Sequence, residues 1–153
     1  MKRLIGRYLS ILHRQAQIYI NFALKEFEIT SAEYSFLMYL YHHSGASQEE
    51  LSTYLYIDKS ATARAIKSLE QKGYVIRLKD EGDKRYNRVF LTEKAKGIES
   101  KVKEKILGWS EMLTEGMEPE KVEFMLKGLE EMVLKIERHD MRKKMEVSGV
   151  DDK

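Results

Sequence analysis

Apolar positions along the chain fall into blocks with a helical period, interrupted once by a block that alternates. Leu4, Tyr8, Ile11, Leu12, Ala16, Tyr19, Ala23 and Phe27 recur at three- and four-residue steps, which lines one face of a helix predicted over 2–26. "ITSAEYSFLMYLYHH" opens with Thr30 and Glu33 at capping-box spacing and predicts a second helix to about His43, stopped at Gly45. Ser47 and Glu50 repeat the device in front of "SQEELSTYL", a helix too short to persist unless it packs on neighbours. After a tight turn, Asp58 is the expected N-cap and Gly73 the expected stop of "IDKSATARAIKSLEQKGY". Short helix, turn and longer helix is helix-turn-helix spacing.

On that longer helix Ala63, Ala65, Ile66 and Leu69 are expected to be buried, leaving Lys59, Ser60, Thr62, Arg64 and Lys67 outside. "YVIRL" and "YNRVFL" then alternate around the turn "KDEGDKR", predicting a two-stranded antiparallel ribbon that leans on the helices before it. Thr92 begins a further helix with apolar residues at Ile98, Val102, Ile106, Trp109 and Leu113, ended by Gly116. Pro119 suits the first turn of the last helix, where Val122, Met125, Leu129, Met132 and Ile136 form a seam that wants a partner helix. The tail "MEVSGVDDK" has no periodicity and is expected to be frayed. The fold class expected is mainly α with a small β-hairpin.

Charge changes this picture by its distribution. The whole chain of 153 residues carries a formal charge of only +2. Between Lys59 and Lys96, however, eleven basic residues stand against five acidic ones, so that segment is +6 and the remainder −4. A polyanion fits the basic lobe: neutralising phosphates with Lys and Arg releases condensed counterions. Small side chains at the start of a helix (Ser60, Ala61, Thr62) allow entry into a major groove, and an arginine on a hairpin tip reaches the adjacent minor groove. The expected DNA contacts are Ser47, Gln48, Lys59, Ser60, Thr62, Arg64, Lys67, Asp83, Lys84, Arg85 and Arg88. Two competing readings use the same residues. One is an architectural binder touching phosphates with little sequence preference; the other is a winged-helix module whose basic lobe meets an acidic protein.

Composition removes other classes. The chain has no cysteine, which excludes disulfides, thiolate metal sites and thiol redox sensing. No phosphate-binding glycine loop and no acid/base pair point to an enzyme. His42 and His43 are adjacent, so on a helix they point about 100° apart, and His13 and His139 lie at no ligand spacing from them. No metal or cofactor is expected. The first twenty residues have basic and apolar character, but Arg7, His13, Arg14, Gln15 and Gln17 interrupt it; no signal peptide, no membrane span and a cytoplasmic location are expected.

"DKSATARAIKSLEQKGYVIR" and "DEGDKRYNRVFLTEKAK" resemble the recognition helix and the D-x-R wing of the multiple antibiotic resistance regulator (MarR) family, and the resemblance runs from the first helix to about Arg138. It implies a winged helix-turn-helix with a helical dimerisation lobe, in a homodimer that regulates transcription from a double-stranded, pseudo-palindromic operator. The output it suggests is repression. It casts Asp83 and Arg85 as the D-x-R pair, the Arg entering the minor groove and the Asp holding it. By the same resemblance, residues 1–28 and 115–145 form the dimerisation lobe and residues 29–114 the DNA-binding lobe, with a connecting helix from 92 and a flexible tail over 146–153. It also implies release by a small aromatic acid or phenol, for which His13, Arg14, Tyr34, Met38 and His42 are the candidate lining. The competing reading of those five makes Tyr34 and Met38 core residues and Arg14 part of an interface ion pair.

Overall fold

Helix α1 spans Ile5–Ala23 in the computed structural model, which describes residues 3–139. The expected tail at 146–153 and positions 140–145 of the expected dimerisation lobe lie outside the described residues. α1 stops earlier than its apolar period suggests. Leu24 leaves helical angles, Lys25–Phe27 tighten into a 3₁₀ turn, and Glu28 closes it in the left-handed region at φ 58°. Only the C-terminal end of α1 is buried in the core, through Ile20 and the following Leu24; Leu4, Ile5, Tyr8, Leu9, Ile11 and Leu12 are exposed.

Helix α2 covers Tyr34–Leu40, shorter than the expected 30–43. Thr30–Glu33 form a turn rather than a complete capping box. Glu33 accepts the Thr30 N–H at 3.3 Å, but its carboxylate also takes the Ser68 hydroxyl at 2.6 Å and the Lys72 ammonium at 2.8 and 2.9 Å. A side chain drawn away to partners in a later helix serves only half of the local cap. After α2, Gly45 sits at φ +93° with the Phe90 ring 3.0 Å from where a Cβ would stand, so both its backbone angle and its surroundings demand glycine.

Strand β1 (Ala46–Ser47), helix α3 (Gln48–Leu55), helix α4 (Lys59–Gln71) and strands β2 (Val75–Lys79) and β3 (Asn87–Leu91) follow. The expected two-stranded ribbon is a three-stranded antiparallel sheet in the order β1-β3-β2, because Ala46 and Ser47 pair with Val89 and Arg88. One sheet face, with Ala46, Val75, Val89 and Leu91, closes on Phe36, Leu37 and Leu40 of α2, Leu51 of α3 and Ile66 and Leu69 of α4. Burying each large side chain stabilises by about 1.5–3 kcal/mol, which holds this small sheet to the helices. The other face leaves Ile76 46% and Leu78 52% exposed. β2 is an edge strand, and the Arg77 N–H on its open side donates to Glu70 Oε2 at 3.2 Å while the Arg77 guanidinium holds both Glu70 oxygens.

The helix expected from Thr92 is broken once. Thr92 caps α5 (Glu93–Gly97) through the Ala95 N–H, Gly97 ends it, and α6 runs Glu99–Thr114. Of its predicted stripe, Val102 is buried, Ile98 and Ile106 pack on the core, and Trp109 lies 5.4 Å from the Tyr19 ring. The described chain divides into two compact units between Glu111 and Met112. The second contains the end of α6 and helix α7 (Pro119–His139), on which Met125, Leu126, Leu129, Met132, Val133 and Ile136 are exposed.

Candidate nucleic-acid interface

α3 begins with both halves of a capping box: the Glu50 N–H donates to Ser47 Oγ at 3.1 Å and the Ser47 N–H to Glu50 Oε2 at 3.2 Å. This fixes the first helix of the pair locally, where the two partners are only three residues apart. It also commits the Ser47 oxygen to α3. Gln48 is half-buried, with its side-chain oxygen turned inward.

Between α3 and α4 the chain reverses through Tyr56 in the left-handed region. The Ser52 hydroxyl donates to the Ile57 carbonyl at 2.6 Å, and Asp58 Oδ1 caps α4 through the Ala61 N–H at 2.7 Å. Thr62 completes this elbow, against expectation. It is 1% exposed, and its hydroxyl lies 2.9 Å from the Asp58 carbonyl and 3.3 Å from Ser52 Oγ. Thr62 therefore does not belong to the contact surface. The buried stripe of α4 is Thr62, Ala65, Ile66 and Leu69, and Ala63, expected inside, is half-exposed. A threonine in a helix returns its hydroxyl to the carbonyl four residues back and so enters a core without an unsatisfied group. The outer face of α4 presents Lys59, Ser60, Ala63, Arg64 and Lys67.

In the hairpin loop, 80–86, the Arg85 guanidinium grips Asp83 side-on, Nε to Oδ1 at 3.0 Å and Nη2 to Oδ2 at 2.7 Å, while the Arg85 side chain remains 82% exposed. The Arg85 side chain holds the Asp83 carboxyl below its ordinary range. An exposed, pre-aimed guanidinium at a hairpin tip suits a narrow groove of negative potential. Arg88 is placed differently: its Nε meets Asp80 Oδ2 at 2.5 Å and its Nη1 donates to the Gly45 carbonyl at 2.9 Å.

The basic segment thus sorts into two groups. Lys72 is held by Glu33, Arg77 by Glu70, Arg88 by Asp80 and Lys96 by Glu93. Lys94 donates to the Lys72 carbonyl and lies over the Tyr74 ring. Lys59, Arg64 and Lys67 on α4 and Lys79 and Lys84 on the hairpin carry no ion pair among the described residues and are exposed. Lys79 was not singled out by the sequence, since Asp80 and Glu81 directly after it mask its charge.

The five residues considered for a small ligand have different surroundings. Tyr34 and Met38 pack against the core, and burial pushes the Tyr34 phenol up. His42 Nε2 is 3.3 Å from Lys103 Nζ, and His13 and Arg14 lie exposed on α1. His43 stacks on Tyr39 at 4.3 Å, and Tyr39 in turn contacts Tyr54. No group of three potential metal ligands occurs among the described residues. Nor is any helix among them long and apolar enough to cross a membrane.

A helix-turn-helix whose second helix is cationic on its outer face, followed at once by a hairpin with an exposed arginine, is a winged helix-turn-helix of the nucleic-acid-binding class. The model of the MarR family matches residues 29–86. A MarR transcriptional regulator from Methanosarcina mazei Go1 is 42% identical, with 88% of this chain covering 96% of that one at a TM-score of 0.83. This chain belongs to the MarR family, whose members are DNA-binding transcriptional regulators without enzymatic activity. It is also 33% identical over 94 residues to the HTH-type transcriptional regulator YybA of Bacillus subtilis (strain 168), a match covering 61% of this chain and 63% of that protein. Less than two thirds of that relative's length is therefore spanned. A MarR family regulator from Listeria monocytogenes, solved in complex with a 26mer DNA, shares the fold at a TM-score of 0.82 and 23% identity, over 89% of this chain and 90% of that one.

Proposed function

We propose that this chain is a sequence-specific regulator of transcription that binds double-stranded DNA as a homodimer and represses by occupying its operator. One observation carries the reading. Within the basic segment, acidic partners hold Lys72, Arg77 and Arg88. On the two consecutive elements that meet DNA in a winged helix, Lys59, Arg64, Lys67, Lys79 and Lys84 carry no ion pair among the described residues, and Arg85, though paired with Asp83, leaves its side chain exposed. The complex of the Listeria relative with a 26mer DNA supports it by analogy of fold.

Residues 29–114 form the DNA-binding lobe in this proposal. The dimer surface lies on α1 and α7, whose apolar residues are exposed along each helix. Contiguous apolar faces of this kind mark interaction surfaces. A cytoplasmic location follows from a DNA partner. Ligand-induced release belongs to the same reading, with Arg14 the candidate group for a carboxylate: it is exposed, cationic and without an ion pair among the described residues.

Selection of genomic fragments by the purified protein, followed by a salt titration on the best fragment, tests the proposal. A pseudo-palindrome is expected, with half-sites about one turn, roughly 34 Å, apart. With about six phosphates neutralised per protomer, log K should fall against log salt with a slope of about −11 for the dimer. Arg85→Ala should weaken binding and leave the dimer intact. Salt-sensitive binding without an enriched motif would replace this reading with the architectural one, and no binding at low salt would overturn both.

A further inference from the structure

A seven-residue hairpin loop has too few internal interactions to hold an arginine at a fixed distance from a helix in another part of the lobe. Here the loop is anchored by a chain of hydrogen bonds that does not involve Arg85. Asp80 Oδ1 accepts the Gly82 N–H at 2.7 Å and lies 3.4 Å from the Asp83 amide, so one carboxylate oxygen shapes the tip. Its other oxygen receives Arg88 Nε at 2.5 Å, and Arg88 Nη1 donates to the Gly45 carbonyl at 2.9 Å. The Gly45 N–H returns to the Val89 carbonyl at 2.7 Å, closing the link on β3. Gly45 lies two residues before Ser47, the N-cap of α3. The wing tip and the start of the helix-turn-helix are therefore joined through one aspartate and one arginine.

We propose that Asp80 and Arg88 are positioning residues for DNA binding: they touch no phosphate and fix the Arg85 tip relative to the helix-turn-helix through the Gly45 carbonyl. The proposal rests on the reading that the wing meets DNA, and it reassigns Arg88, which its charge alone casts as a phosphate contact. The two Asp–Arg pairs of the hairpin then divide the work. Asp83 and Arg85 close on each other within the tip and present a guanidinium. Asp80 and Arg88 span from the tip to the body and orient it. A guanidinium suits the second task because its rigid fork donates in two directions at once, which an ammonium on a flexible stem does not reproduce.

The two roles for Arg88 predict opposite signs. Were Arg88 a phosphate ligand, Asp80 would compete with DNA for it and repel the backbone, so Asp80→Asn would tighten binding, and Arg88→Lys would keep most of the affinity. With Arg88 as a brace, both substitutions weaken operator binding, each by about five- to tenfold for the loss of one charge-assisted bond. The double variant is then no worse than either single one, since both break one link. The salt slope separates the roles further: it stays at the wild-type value in Asp80→Asn and Arg88→Lys, and in Arg85→Ala it falls by about 0.9 for each phosphate no longer neutralised.

The experiment is a salt titration of operator binding by the full chain and these four variants, with ¹⁵N order parameters for residues 81–86 of the free protein. Weaker binding at an unchanged slope, with order parameters at the tip dropping toward about 0.6 in Asp80→Asn and Arg88→Lys, is the expected result. Unchanged or tighter binding by Asp80→Asn, beside a normal loss in Arg85→Ala, would overturn the proposal and leave the wing reading standing. Unchanged binding by Arg85→Ala would overturn the wing reading and the proposal with it.

Discussion

Replacing Glu33 by glutamine removes the charge that ties the start of α2 to the end of α4. Glu33 is 4% exposed and accepts hydrogen bonds from two side chains, the Ser68 hydroxyl at 2.6 Å and Lys72 Nζ at 2.8 and 2.9 Å. Lys72 also donates to the Glu28 carbonyl at 2.6 Å and remains partly solvated. A glutamine keeps one acceptor for Ser68 or Lys72 but turns an NH₂ toward an ammonium. Losing one member of a fully buried pair costs about 3–5 kcal/mol, and the partial solvation of Lys72 lowers this to about 2–3 kcal/mol. For a chain of this length that corresponds to a fall in Tm of about 5–10 °C. Thermal unfolding followed by circular dichroism, at low salt and at about 1 M salt, measures it. The loss should persist at high salt because the pair is shielded from mobile ions, whereas Lys96→Met, which breaks the exposed pair with Glu93, should change little at either salt. A Glu33→Gln variant that melts with the wild type, or whose deficit vanishes in salt, would refute the buried latch.

Two further expectations concern the elbow and the wing. Thr62→Val should cost about 1–2 kcal/mol in denaturant unfolding, since it removes a buried hydroxyl bonded to the Asp58 carbonyl, and should leave operator affinity unaltered below the melting transition; normal stability with lost affinity would restore Thr62 as a base contact. Asp80 and Asp83 are held below their ordinary value of 3.8, Asp80 chiefly by the Gly82 N–H and then Arg88, Asp83 chiefly by the Arg85 side chain. Their contribution to stability is thus complete above 3.8 and fades as pH falls through the lower native values. A carboxyl ¹³C titration should find both groups ionising below 3.8, with Arg85→Ala raising Asp83 and sparing Asp80; titration at or above that value would refute the two hydrogen-bonded pairs.

What the sequence revealed and what it concealed follow from the range of the interactions. The Ser47–Glu50 box, the Asp58 cap and the Asp83–Arg85 pair each join residues two or three positions apart, so spacing alone predicts them. Thr30 and Glu33 show the same spacing with another outcome, because Ser68 and Lys72 claim the carboxylate from 35 and 39 positions away. Arg88 is the same lesson in the site itself: its partners are Asp80, eight positions back, and a backbone carbonyl 43 positions back that carries no side-chain signature. On α4, classing Thr62 as polar and Ala63 as apolar rotated the buried stripe by one residue, about 100° of helix. Alanine is too small to declare a face, and threonine satisfies its own hydroxyl. β1 escaped notice because two residues cannot display an alternating pattern.

The Glu70 carboxylate that caps the outward Arg77 N–H has a consequence for how this chain behaves in a crowded solution. An open edge strand beside uncovered Ile76 and Leu78 is the geometry on which foreign β-segments grow. A visiting strand would have to displace an anion that is also gripped by the Arg77 guanidinium before it could pair with the Arg77 N–H. The exposed Ile76 and Leu78 thus sit beside an edge whose central N–H is already taken, and the residue that takes it, Glu70, belongs to α4. Under the proposed function α4 is the helix that reads the operator, so a redesign of α4 for a new operator that removed Glu70 would also uncap the sheet.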